Sequence, residues 1–161
     1  FDIVNHQLLR AVAKTGKPVI MSVGMSNLDE IEDAYNILKE GTDCIAILHC
    51  ISSYPTIEKD SKLSNIYKIQ EKYNCIIGQS DHSNDIKVPI YAAAAGAQIL
   101  EKHFKIDNNF ECVDAPVSIT EVQMKKLVEE VRGLEVIFGK ENFGIRSSEE
   151  QTAVFRRLIK D

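Results

Sequence analysis

Cys44-Ile-Ala-Ile-Leu-His-Cys-Ile51 is apolar at nearly every position. A strand with one wet face alternates, whereas a parallel strand covered on both faces reads as a continuous apolar run. The neighbouring segments repeat the theme. Upstream, Lys17-Pro-Val-Ile-Met-Ser22 reads as a strand, with a helix either side of it. The first carries Leu8, Leu9, Val12 and Ala13 on one face and stops at Gly16. The second opens with Asn27 and Glu30 in capping-box spacing and carries Leu28, Ile31, Ala34, Tyr35 and Leu38, with Gly41 closing it. Downstream, Leu63, Ile66, Ile69 and Tyr73 mark a looser helix, and Cys75-Ile-Ile-Gly78 a short third strand. The small-residue segment Ile86 to Ala97 suits a helix lying close on a sheet. Gln98-Ile-Leu-Glu-Lys-His-Phe104 reads as a fourth strand. Thr120 and Gln123 open a last amphipathic helix with Met124, Leu127, Val128, Val131, Leu134 and Phe138 on one face.

One helix followed by four βα units implies parallel strands, in an open doubly wound sheet or in part of a (β/α)8 barrel. Neither G-x-G-x-x-G nor G-x-x-x-x-G-K-[ST] occurs, which weakens the nucleotide-binding sheet.

Composition narrows the function. The 161 residues hold 19 Lys+Arg and 24 Asp+Glu, for a net charge of −5. That balance carries no basic footprint for nucleic acid and no patch for a membrane surface. No apolar stretch approaches the ~18 residues of a membrane span, and no leader-like segment opens the chain. Cys44, Cys50, Cys75 and Cys112 match no zinc-ribbon spacing and read as free, buried thiols of a reducing cytoplasm.

In either architecture the chemistry lies at the carboxyl ends of the strands. Polar groups gather there: Ser22; His49, Ser52, Ser53 and Tyr54; Ser80, Asp81 and His82; Glu101, Lys102 and His103. His82 and His103 leave neighbouring strands at similar height, so their imidazoles can converge on one ion, or each can satisfy a buried hydrogen bond. His49, flanked by Leu48 and Cys50, favours the buried bond. Alternation along a strand turns Glu101 and His103 into a barrel and Lys102 toward the helices. Asp81 and His82 can form a pair that fixes an imidazole tautomer. Asp114 suits a sugar hydroxyl or a turn before Pro116.

Five motifs occur in one order: Lys17-Pro-Val-Ile-Met-Ser-Val-Gly-Met25, Leu48-His-Cys-Ile-Ser-Ser-Tyr-Pro-Thr56, Gly78-Gln-Ser-Asp-His-Ser83, Glu101-Lys-His-Phe104 and Val113-Asp114. His82 and His103 stand 21 positions apart. The set resembles the sialic acid synthase family, the bacterial nonulosonate synthases. The resemblance implies a (β/α)8 barrel followed by an antifreeze-protein-like domain. It also implies condensation of phosphoenolpyruvate with an N-acetylated hexosamine, giving a nine-carbon α-keto acid and phosphate. His82 and His103 match the ligands of a divalent ion, Mn2+ or Mg2+. Ser22, Ser52 and Ser80 match positions near phosphoenolpyruvate, Tyr54 and Asp114 positions facing the amino sugar, and Glu101 an active-site carboxylate. The position of Ser52 is Asn in some members. Val113-Asp-Ala-Pro-Val-Ser118 departs from the Gly-Pro-Asp form of the sialic branch, which leaves the acceptor open among sialic, legionaminic and pseudaminic chemistry.

A whole barrel takes about 200 residues or more. The expectation is therefore the C-terminal half of a barrel, strands five to eight, over residues 1–146. Residues 147–161 are expected to form a linker helix toward an antifreeze-like domain absent from the chain. Open sheet edges then favour a homo-oligomer. Weak or absent synthase activity is expected from this polypeptide alone. A non-catalytic half-barrel that binds metal or self-associates is the alternative.

Overall fold

The central strand β2 (Ile45–Cys50) is buried at all six positions. It lies in a four-stranded parallel sheet ordered β1-β2-β3-β4, with β1 at Val19–Ser22, β3 at Ile76–Asp81 and β4 at Ile99–Lys102. The helices are α1 (His6–Ala13), α2 (Leu28–Lys39), α3 (Ser64–Lys72), α4 (Lys87–Ala94), α5 (Glu121–Phe138) and the single turn α6 (Glu150–Ala153). This computed structural model describes residues 1–157. The expected linker helix over 147–161 is represented by a 3-10 turn at Ser147–Glu149 and by α6; residues 158–161 lie outside the described residues.

Strand order follows chain order without reversal, so successive crossovers of one hand place their helices on the same side of the sheet. Residue parity shows which side. Met21, Ile45, Ile47 and Ile77 share one face and form the core with Ile31, Ala34, Leu38, Ile66, Ile69 and Ala92 of the helices. The other face carries Ile20, Ala46, Leu48, Ile76, Gly78 and Ile99, in register. On it Ile20 is 60% and Ile76 47% exposed. Four parallel strands backed on one face by helices make half of a (β/α)8 barrel, with the unhelical face as the inner wall.

The helix boundaries have local causes. Asn27 Oδ1 accepts from the backbone N–H groups of Asp29 and Glu30, and Glu30 Oε2 accepts from Asn27 N–H at 2.8 Å, a complete capping box. Gly16 takes a left-handed φ of 65° past the end of α1. Gly41 answers a different need: a Cβ there would lie 1.8 Å from the Ala13 carbonyl, so its absence lets α2 end against α1.

Three expectations are corrected. The third strand does not stop at Gly78; it continues through Gln79, Ser80 and Asp81, all buried. Of the six apolar residues expected to bury one face of α5, only Leu127 is buried; Val128 is 51% and Phe138 65% exposed. The reason is an open groove between α5 and the free edge of β4, lined by Leu100, Met124, Leu127, Val131 and Leu134. The cysteines are free, but Cys44 and Cys112 are exposed rather than buried.

Candidate active site at the carboxyl ends of the strands

The sheet register fixes where each candidate side chain points. Ser80 pairs with Glu101 and Asp81 with Lys102. Alternation puts Ser80 and Glu101 on the inner wall and Asp81 and Lys102 on the helix side. Ser80 Oγ donates to Glu101 Oε1 at 2.6 Å. One residue beyond each strand, His82 and His103 return to the inner side. Their ring centroids are 5.2 Å apart, with the planes at 63°.

The two imidazoles are oriented by different partners. His82 Nδ1 lies 2.9 Å from the carbonyl oxygen of Ile51, to which it donates, leaving Nε2 as the lone-pair nitrogen. The His82 carbonyl accepts from Thr56 N–H at 2.9 Å. His103 Nδ1 faces Asp114 Oδ2 at 3.6 Å, longer than a hydrogen bond, and its carbonyl accepts from Ile119 N–H. Tyr54 lies over His82 with centroids 4.0 Å apart and meets the edge of His103 at 5.8 Å. His82, His103, Tyr54 and Asp114 thus form one cluster, with Ser80 and Glu101 one step down the same wall.

Cys50 sits beside this cluster, with Sγ 3.8 Å from His82 Nδ1 and 3.9 Å from Ser52 Oγ. Burial pushes the Cys50 thiol up, but the His82 ring and the Ser52 and Ser80 hydroxyls outweigh it and hold the thiol below its usual range. For His82, burial works downward, while Cys50 and the Ile51 carbonyl together leave the imidazole above its usual value. The Tyr54 phenol is raised by burial and by the negative charges of Cys50, Asp114 and Glu101. It therefore stays protonated and can donate a hydrogen bond. Gly24 makes room for the loop after β2: a Cβ there would fall 2.2 Å from Ser52 Oγ. Ser22 ends β1 on the inner wall, level with Leu48.

One local expectation differs from what is observed, and one is met. Asp81 does not orient His82. Its carboxylate instead accepts from Lys102 Nζ at 2.8 Å, Gln79 Nε2 at 3.2 Å, and Ser83 N–H and Oγ–H. The tautomer-fixing partner is the Ile51 carbonyl, a backbone atom with no signature in side-chain spacing. His49 does not join the rim; it faces the helix side, and Nε2 lies 2.7 Å from the Ser61 carbonyl. Burial lowers its pKa. This is the buried hydrogen bond favoured for it from sequence.

The donor set suits a hard or borderline divalent cation. Metal-bound imidazoles are commonly steadied through their second nitrogen by a carbonyl or a carboxylate; Ile51 does this for His82, and Asp114 stands on that side of His103. Among the described residues no three His, Cys, Asp or Glu side chains converge as a closed cage. Two imidazoles would therefore leave most coordination positions to water or substrate oxygens.

Comparison with known proteins agrees with this class of half-barrel with a polar inner rim. The NeuB family model matches residues 1–143, and the chain belongs to the NeuB family. It is 33% identical over 160 residues to the pseudaminic acid synthase of Campylobacter jejuni, covering 99% of this chain and 47% of that protein. It is 34% identical over 141 residues to the N,N'-diacetyllegionaminic acid synthase of the same species, covering 86% of this chain and 42% of the relative. The crystal structure of a Leptospira borgpetersenii N-acetylneuraminic acid synthetase in complex with citrate superposes with a TM-score of 0.89 at 39% identity, over 96% of this chain and 54% of that one. The chain thus spans less than half the length of these curated relatives.

Proposed function

We propose that this chain carries the metal and acceptor side of an active site that condenses phosphoenolpyruvate with an N-acetylated hexosamine. The products are a nonulosonic acid and phosphate. The observation that carries this reading is the convergence of His82, His103, Tyr54 and Asp114 at one end of the inner wall, next to the Ser80–Glu101 pair.

The roles follow from chemistry. Nε2 of His82 and of His103 would hold Mn2+ or Mg2+. When bound there, such an ion would supply Lewis-acid polarisation of a carbonyl oxygen of the open-chain sugar, a contribution on the order of several kcal/mol. The protonated Tyr54 phenol donates to the sugar, and Asp114 accepts from its hydroxyls. The Ser22, Ser52 and Ser80 hydroxyls bind phosphoenolpyruvate. A carbon–carbon bond forms between the enol carbon and the aldehyde, whose oxygen takes up a proton to become a hydroxyl; water adds at the former enol-phosphate carbon, and the bond to phosphate breaks as the new hydroxyl there gives up its proton to leave the keto group. Glu101, held by Ser80, takes the proton from that water. Four free thiols fit a reducing, cytoplasmic setting.

The inner wall is half open, so the 161-residue polypeptide is expected to release phosphate near the uncatalysed rate. Robust release from phosphoenolpyruvate and a hexosamine would contradict that. Substrate binding is tested separately by NMR titration with an N-acetylhexosamine in the presence of Mg2+. Amide shifts at Tyr54, His103 and Asp114, lost in His82→Ala, are expected. Absent shifts, or shifts indifferent to His82→Ala, would overturn the assignment.

A further inference from the structure

The sheet ladder ends at the pair Asp81 and Lys102. His82 and His103 each stand one residue past that pair. Beyond that point their anchors diverge. His82 is tied to Ile51 and Thr56, after β2, and His103 to Ile119, ahead of α5. Among the described residues, the last side-chain tie between the two strands before the imidazoles is therefore the Asp81–Lys102 ion pair. It is 2.8 Å long, with side chains 3% and 2% exposed.

Lys102 Nζ also donates to the Ser83 carbonyl, and Asp81 is further held by Gln79 and Ser83. The tie thus reaches across His82 in the chain, gripping residues on both sides of it. A buried ion pair is weak evidence for stability, since desolvation offsets most of the attraction and an apolar pair of similar size often serves as well. What such a pair supplies that an apolar pair does not is a fixed register between two charged atoms.

We propose that Asp81 and Lys102 are positioning residues: their buried ion pair, on the helix side of the sheet, sets the spacing of the His82 and His103 rings on the opposite side. The proposal rests on the reading of those histidines as metal ligands for its consequence, but not for the spacing itself.

The test uses Asp81→Leu/Lys102→Met, which replaces the pair with apolar side chains of similar volume, and two readouts. One is Mn2+ affinity by calorimetry. The other is the cross-peaks between His82 and His103 ring protons in the metal-free chain. The double variant is expected to melt cooperatively, to lose the cross-peaks and to bind Mn2+ at least about tenfold more weakly. Lys102→Arg, which keeps the pair, is expected to retain both signals. Wild-type Mn2+ affinity in the double variant overturns the proposal, and so do retained cross-peaks, even with weakened binding. If the wild type itself binds no Mn2+, the metal reading fails and the cross-peaks alone decide the positioning role. If the double variant does not melt cooperatively, Asp81→Asn carries the test on the same criteria.

Discussion

At the scale of single residues, two buried histidines, one on β2 and one just past β3, have opposite electrostatic fates. His82 faces the inner wall beside Cys50 and is raised. His49 faces the helices, accepts little compensation for burial, and is lowered. For His49 the pH consequence has a definite sign. Its unfolded pKa is about 6.5 and its folded value lies lower, so between the two the unfolded chain binds more protons. Stability therefore falls as pH drops from about 6.5 through that window. Thermal melting between pH 7.5 and 5.5 is expected to show this loss, and His49→Gln, which keeps a donor to the Ser61 carbonyl, to show less of it. An unchanged pH slope in the variant would remove His49 as the cause.

At the scale of elements, end chemistry decides the helices and neighbours decide the strands. The Asn27–Glu30 box satisfies the first N–H groups of α2. Asn27→Ala is expected to cost about 1 kcal/mol by urea unfolding; a change indistinguishable from zero would contradict the capping account. The apolar run of β2 was legible because burial on two faces leaves a composition that solvent contact on one face does not. The end of β3 was not legible. Ser80 and Asp81 could be placed at the carboxyl end of the strand, but not as paired strand residues, because the groups that satisfy them, Glu101 and Lys102, lie 21 positions away. The convergence of His82 and His103 could be read from spacing and alternation. The Ile51 carbonyl and the Cys50 thiol beside His82 could not, because those contacts come from a loop path that no side-chain pattern encodes. The stripe on α5 was legible as a helix face, yet nothing in the stripe tells whether a strand lies beneath all of it.

At the scale of the whole molecule, four strands give half of a closed wall. Among the described residues β1 and β4 each keep an unpaired edge, and the inner wall presents Ile20 and Ile76. Unpaired, flat edges recruit further strands. We expect the 161-residue chain to self-associate, with a weight-average mass that rises with concentration in sedimentation experiments at micromolar protein. A sharp monomer across that range would contradict the expectation. The imidazole pair itself is positioned by β3, β4, the loop after β2 and the segment from Asp114 to Ile119 ahead of α5.

The measurement closest to the central claim is a calorimetric titration of Mn2+ into the wild type, His82→Ala and His103→Ala, each shown to melt cooperatively. Saturable binding at one site in the wild type, lost in both variants, is the predicted result. Identical isotherms for all three proteins would contradict a cation shared by the two imidazoles.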